Sequence, residues 1–184
     1  MSLVPLVNNI LGPLTILGGA LTLIAIFILL TKNRSPKLDY FLNKAVLFAF
    51  LVALLATLGS LFYSEIAGYE PCKLCWFQRI FMYPQALLLG LALAKKDKNI
   101  IGYSLVMSGV GGVIAGYHYL LQLGVAPALP CAAVGYSAAC SQRFVLLFGY
   151  ITIPMMAFTA FALLFVTMLL ARRQATTAAS AQIN

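Results

Sequence analysis

The chemistry of this chain is concentrated in four cysteines. Two of them stand in Glu70-Pro71-Cys72-Lys73-Leu74-Cys75-Trp76-Phe77-Gln78-Arg79, where a short polar loop runs into an apolar segment. Two thiols at this spacing can close a small disulfide, bind a metal, or shuttle between dithiol and disulfide. With Pro71 at the helix entry, both sulfurs fall in the first turn. Unpaired N–H groups and the positive end of the helix dipole favour a thiolate there. Lys73 and Arg79 add positive charge. Arg79 lies four residues after Cys75 and seven after Cys72, so the three share one helix face. A cation on that face of an apolar helix is expensive, which marks Arg79 as functional rather than as an anchor snorkelling to the interface.

Cys131 and Cys140 form a second pair, in a loop rich in proline and glycine. Four cysteines allow three pairings, and local pairing, Cys72 with Cys75 and Cys131 with Cys140, is the simplest resting state. The pairs could be inert staples. A disulfide closing a loop of about ten residues is worth roughly 2.5–3 kcal/mol in the chain-entropy model. A CxxC ring, however, closes almost no loop. They could bind zinc, but the eight-residue gap between Cys131 and Cys140 does not match the usual knuckle, and no metal is expected. The third reading is an electron relay by thiol–disulfide exchange. Its terminal acceptor must be reachable from a helix mouth in the bilayer, as a lipid-soluble quinone is. No haem ligand pair, flavin fingerprint or iron–sulfur spacing offers a replacement. His118, the only histidine, is placed to donate to a quinone oxygen or to take a proton. Alternatively it belongs to an interfacial aromatic belt with Tyr117 and Tyr119.

The elements that position these residues are membrane spans. Of the 184 residues, 62% are hydrophobic and 9% charged, against about 25% charged in a soluble domain. The chain reads as a single all-α integral membrane domain. About 20 apolar residues cross the hydrocarbon as a helix. The candidates are residues 11–31, 45–63, 74–94, 100–123 and 144–171, the last long enough to need tilt, a kink at Pro154 or an interfacial start. Residues 172–184 read as a disordered tail. No Lys or Arg precedes the first apolar segment, which is therefore read as a span rather than a cleaved leader.

The net charge of +8 does not indicate nucleic acid, because the charges form short blocks between spans. Nine of the twelve Lys and Arg residues fall in the loops at 32–44 and 95–98 and in the tail. The positive-inside rule puts these in the cytoplasm, the N-terminus outside and all four cysteines on the outer face, where disulfides persist. His118, about 27 Å along its helix from Ile100, then lies near the depth of Cys75 and Arg79. With one His and four acidic residues, a carboxylate-based active site or a calcium loop is excluded.

The run Cys72-Lys73-Leu74-Cys75-Trp76-Phe77-Gln78-Arg79, continuing to Met82-Tyr83-Pro84, resembles the DsbB/BdbC family of membrane thiol oxidoreductases. The Cys131/Cys140 pair, followed by Gly149-Tyr150-Ile151-Thr152-Ile153-Pro154, is similar to its BdbC-type branch. The resemblance covers roughly residues 40–171. It implies a four-helix bundle at 45–171 in the bacterial inner membrane, a quinone acceptor (ubiquinone or menaquinone) and a DsbA- or BdbD-like thioredoxin-fold partner. It further implies that Cys75 faces the quinone, that Arg79 contacts it, that Cys131 joins the partner in a mixed disulfide, and that Cys140 and Cys72 relay between the pairs. In vitamin K epoxide reductases, which share a similar bundle, the loop pair precedes the CxxC; here the CxxC comes first. The span at 11–31 is additional to the family core. The competing function is a structural or transport bundle stapled by two inert disulfides.

Overall fold

The computed structural model describes residues 3–31, 44–97, 99–127 and 140–181, with side chains in the last stretch as far as Thr176. Inside lipid a backbone must pair its own N–H and C=O groups, so long apolar runs become helices. Five are present among the described residues: α1 (Leu3–Thr31), α2 (Ala45–Leu61), α3 (Lys73–Lys95), α4 (Ile100–Gln122) and α5 (Ile153–Ala181). All five are long and apolar enough to cross a membrane, α2 together with the π-helical turn Phe62–Ile66 that extends it. The chain is an all-α membrane protein.

Helix α2 packs on α3, α3 on α4, α4 on α5, and α5 back on α2, which closes a ring of four. Helix α1 lies outside this ring, along α5. Small residues set the approach distances, as van der Waals packing does in lipid. Ala45, Ala49 and Ala53 recur every fourth residue and are fully buried on α2. Gly111 of α4 receives the ring of Phe161 of α5 so closely that a Cβ would lie 2.4 Å from it. Gln85 joins α3 to α4: its Oε1 accepts from Ser104 (2.8 Å) and Ser108 (3.0 Å), and its Nε2 donates to the Phe81 carbonyl (3.1 Å). A buried amide is tolerated because its partners are supplied. Helix α3 ends at Lys96, whose left-handed backbone (φ 54°) turns the chain toward α4.

Three boundaries differ from the sequence expectation. Helix α1 begins at Leu3 rather than Leu11, because Asn8 and Asn9 are accommodated within the helix. Helix α5 begins at Ile153 rather than Phe144. Phe148 and Gly149 both take positive φ (51° and 80°) in a tight turn closed by an isolated bridge between Leu147 and Ile151. Pro154 therefore sits in the first helical turn, where its missing N–H is harmless, instead of kinking a longer helix. At the other end, α5 continues past Arg172 to Ala181, where disorder was expected. Arg173 there donates to the Leu29 carbonyl of α1 (2.9 Å), and the Ala-rich composition favours helix.

The Gly111–Phe161 contact generates a prediction. Gly111→Val should lower the thermal midpoint of the purified protein in detergent by overpacking, an effect of about 1–3 kcal/mol. Gly102→Ala, where a Cβ meets nothing within 4 Å, should leave the midpoint unchanged. Equal behaviour of the two variants would contradict the packing described.

Candidate active site

Cys72 is the N-cap of α3, with extended backbone (φ −70°, ψ 170°), and its carbonyl accepts from the Trp76 N–H at 3.1 Å. Cys75 follows in the first turn. Cys72 donates its S–H to Cys75 across 3.3 Å, and the pair is described in its dithiol form. The helix N-terminus was expected to favour a thiolate at both positions. At Cys72 the hydrogen bond to Cys75, and after it burial, outweigh that effect and push the thiol up to about 12. Hydrogen bonds with His118 and Cys140 act in the opposite direction.

His118 connects the site. It is 1% exposed, which removes it from any interfacial belt. Its Nδ1 lies 2.9 Å from the amide nitrogen of Gln78, one turn along α3 from the thiols. With Gln78 donating to Nδ1, the ring hydrogen sits on Nε2. That nitrogen donates to the Cys140 carbonyl (3.1 Å) and lies 3.7 Å from the Cys72 sulfur. Cys72 and Cys140 are buried in one cluster with Leu74 and Leu121. The segment after Cys140 is fastened to α4. Arg143 donates to the Gln122 carbonyl through Nε (2.9 Å) and Nη2, and Gln122 donates to the Gln142 carbonyl (3.0 Å). Tyr63, Tyr69 and Phe144 stack in sequence over the same end, at 5.9 and 5.0 Å between centroids. Cys131 lies outside the described residues.

Arg79 is 9% exposed and points into the protein rather than out to an interface. Its Nε donates to the Ser60 hydroxyl (3.1 Å) and its Nη2 to the Ser60 carbonyl (3.2 Å), both on α2. The Tyr83 hydroxyl also donates to Ser60 (3.1 Å). The guanidinium lies over the rings of Trp76 and Tyr83, 5.2 and 5.8 Å from their centroids, in cation–π contact. No carboxylate neutralises it among the described residues.

These groups border one cavity of about 190 Å³. Cys72, Cys75, Arg79 and His118 line its polar end, and apolar side chains of α1, α2 and α5 line the rest. A small planar molecule with polar oxygens suits this combination: an apolar chamber, a cation and a dithiol at one end. The Sγ atoms of Cys72 and Cys75 and a ring nitrogen of His118 also lie within 4.8 Å of one another, a spacing that could hold a soft metal ion. The engagement of Nε2 with the Cys140 carbonyl and the positive charge of Arg79 argue against a cation there.

The sequence pattern singled out Cys72, Cys75, Cys140, Arg79 and His118, and the structure brings all five to one end of the bundle. It gave no role to Gln78, although Gln78 stands in the same motif one residue before Arg79. Ser60 carried no signal at all, because a lone serine near a helix end is ordinary.

A buried dithiol at a helix mouth, joined through a histidine to a third cysteine and facing a cavity within a membrane bundle, defines a membrane protein of thiol–disulfide chemistry. Residues 43–171 match the family model described as disulfide bond formation protein DsbB. The chain belongs to that family. It is 45% identical over 129 residues to the "Probable disulfide formation protein C" of Bacillus cereus, covering 70% of this chain and 89% of that protein. It is 43% identical over 124 residues to the disulfide bond formation protein C of Bacillus subtilis, covering 66% of this chain and 88% of that protein. A "Probable disulfide formation protein" of Metapseudomonas resinovorans is 38% identical over 133 residues, 71% of this chain and 91% of that one. No solved structure matches the chain significantly.

The raised Cys72 thiol has a pH signature. A group whose pKa is raised stays protonated, and unreactive toward alkylation, above the ordinary cysteine value of about 8.5. Iodoacetamide labelling of Cys72 in the reduced protein, followed by mass spectrometry, should still accelerate about tenfold between pH 9 and pH 10. An exposed thiol levels off over that interval. A Cys72 rate that levels off near pH 9 would mean the Cys75 hydrogen bond does not hold the proton.

Proposed function

We propose that this protein reoxidises a DsbA- or BdbD-like thioredoxin-fold partner and passes the electrons through its two cysteine pairs to a membrane quinone. It would thereby sustain disulfide formation outside the cytoplasm. The observation that carries this reading is the burial of Cys140 against Cys72, with His118 donating toward both. Staples need no such contact between pairs, whereas a relay requires it.

The steps balance as thiol–disulfide exchanges. A partner thiolate attacks Cys131 of the Cys131–Cys140 disulfide and releases Cys140. The partner's second thiol then displaces Cys131, leaving the partner oxidised and the loop pair as a dithiol. Cys140 attacks Cys72 of the Cys72–Cys75 disulfide and releases Cys75. Cys131 next attacks Cys140 and releases Cys72, which restores the loop disulfide. His118 has both ring nitrogens engaged by protein, so its part lies in this exchange: the Nε2 hydrogen stabilises the Cys72 thiolate as it leaves. Reoxidation of the dithiol releases two electrons and two protons, which a quinone takes up to become a quinol. Arg79, held by Ser60 and two aromatic rings, is oriented to attract a quinone oxygen beside Cys75.

The family and the charge pattern support a bacterial cytoplasmic membrane location with the cysteine end outside. Lys95, Lys96, Arg172 and Arg173 gather at the opposite end. In intact cells a Ser35→Cys variant should resist a membrane-impermeant maleimide until the membrane is permeabilised. Labelling without permeabilisation would reverse the orientation.

The decisive assay supplies purified protein with a reduced DsbA-type partner and follows quinone reduction. Turnover is expected, and Cys140→Ser should accumulate a mixed disulfide between Cys131 and the partner. Arg79→Ala should raise the quinone KM about ten- to hundredfold, since charge-assisted hydrogen bonds are worth roughly 1.5–3 kcal/mol. It should leave adduct formation with the partner intact. Absence of both turnover and adduct would sink the oxidase reading in favour of an inert stapled bundle.

A further inference from the structure

Helix α1 lies outside the family match, which starts at residue 43, yet it forms part of the cavity wall. Leu11, Leu14, Thr15 and Gly18 line the cavity at helical spacing, as do Val52, Leu55, Ala56 and Gly59 from α2. The two helices do not pack along one another. Helix α1 is seated on α5, where a Cβ at Gly18 would come within 3.2 Å of Thr159. It meets α2 at the cysteine end. Leu11 covers Gly59, and the Tyr63 hydroxyl at the end of that span donates to Asn8 at 2.7 Å. Deeper in the bundle, Leu14 and Leu55 line the cavity from these two helices and remain 38% and 43% exposed.

The volume limits what the cavity can hold. An apolar cavity of about 150 Å³ holds a benzene-sized ring. About 190 Å³ holds a substituted ring but not a polyisoprenoid chain as well. A tail attached to a ring beside Arg79 must leave the chamber, and an apolar tail gains free energy only by leaving into hydrocarbon. We propose that the slot between α1 and α2, framed by Leu14 and Leu55 and closed above by Leu11 and Asn8, is the lateral portal through which the acceptor's isoprenoid tail passes into the lipid. The proposal rests on reading the cavity as the quinone site. It gives α1 a function: it turns an open flank of the bundle into a walled slot that selects for an apolar tail.

Trp76 is the only tryptophan, and the Arg79 guanidinium that lines the cavity lies over its ring, so its fluorescence reports binding without turnover. Protein in nanodiscs is titrated with a tail-less benzoquinone and with the same ring carrying a decyl chain. Both should quench Trp76 in the wild type, the decyl form with the lower Kd. The double variant Leu14→Phe/Leu55→Phe narrows the slot. It should raise the Kd of the decyl quinone at least tenfold and leave that of the tail-less ring unchanged, which also shows the fold to be intact. Leu23→Phe, on α1 but outside the cavity lining and 70% exposed, should change neither. Equal weakening of both ligands, or of neither, in the double variant overturns the portal. Absence of quenching by either ligand in the wild type would instead refute the quinone site on which it rests.

Discussion

The site depends on one imidazole that is almost completely buried and hydrogen-bonded on both sides by protein. A buried polar group in an apolar bundle must find its hydrogen bonds within the protein. His118 does so by taking one from Gln78 on α3 and giving one to the Cys140 carbonyl. That requirement docks the segment carrying Cys140 on the mouth of α3 and fixes which nitrogen faces the Cys72 sulfur. Fastenings farther out, from Arg143 to Gln122 and from the Tyr119 hydroxyl to the Tyr150 carbonyl, hold the same segment. The histidine is thus the side chain that touches both halves of the site, the Cys72 sulfur on one side and the Cys140 carbonyl on the other.

Arg79 follows the same logic with the opposite charge balance. It is buried with no carboxylate beside it among the described residues, so its desolvation is offset by Ser60 and by two aromatic faces. This arrangement holds a cation in place without a paired carboxylate among the described residues. An anionic or strongly polar guest therefore gains more there than at an ordinary ion pair.

Much of this was legible in the sequence, for identifiable reasons. Spans follow from composition, and the four-residue step from Cys75 to Arg79 follows from helix geometry, so both were readable without coordinates. What lay beyond reach was long-range. Nothing local to Ser60 says that α2 will present it to Arg79. Nothing local to His118 distinguishes a belt residue from one sealed beneath Cys140. The misplaced start of α5 has a conformational cause: Phe144–Thr152 is apolar enough to read as span, but hydropathy is blind to two consecutive left-handed residues. The direction of the Cys72 shift was misjudged because the helix dipole was visible in the pattern and the thiol–thiol hydrogen bond was not. Cys131, central to the expected relay, lies outside the described residues.

The Gly111–Phe161 contact and the Gln85 clamp lie deeper in the bundle than the cysteines. Together they make a stiff waist: one contact leaves no room for a methyl group, the other joins two helices through two hydrogen bonds, from Ser104 and Ser108 to Gln85. Strain applied at the mouth, as when a large partner docks and tugs on the Cys140 segment, would therefore stop at that level instead of spreading through the helices. The tightest interlocks among α3, α4 and α5 therefore lie below the exchange end rather than at it. Mechanical insulation of this kind would let the exchange end rearrange repeatedly while the helices around it keep their register.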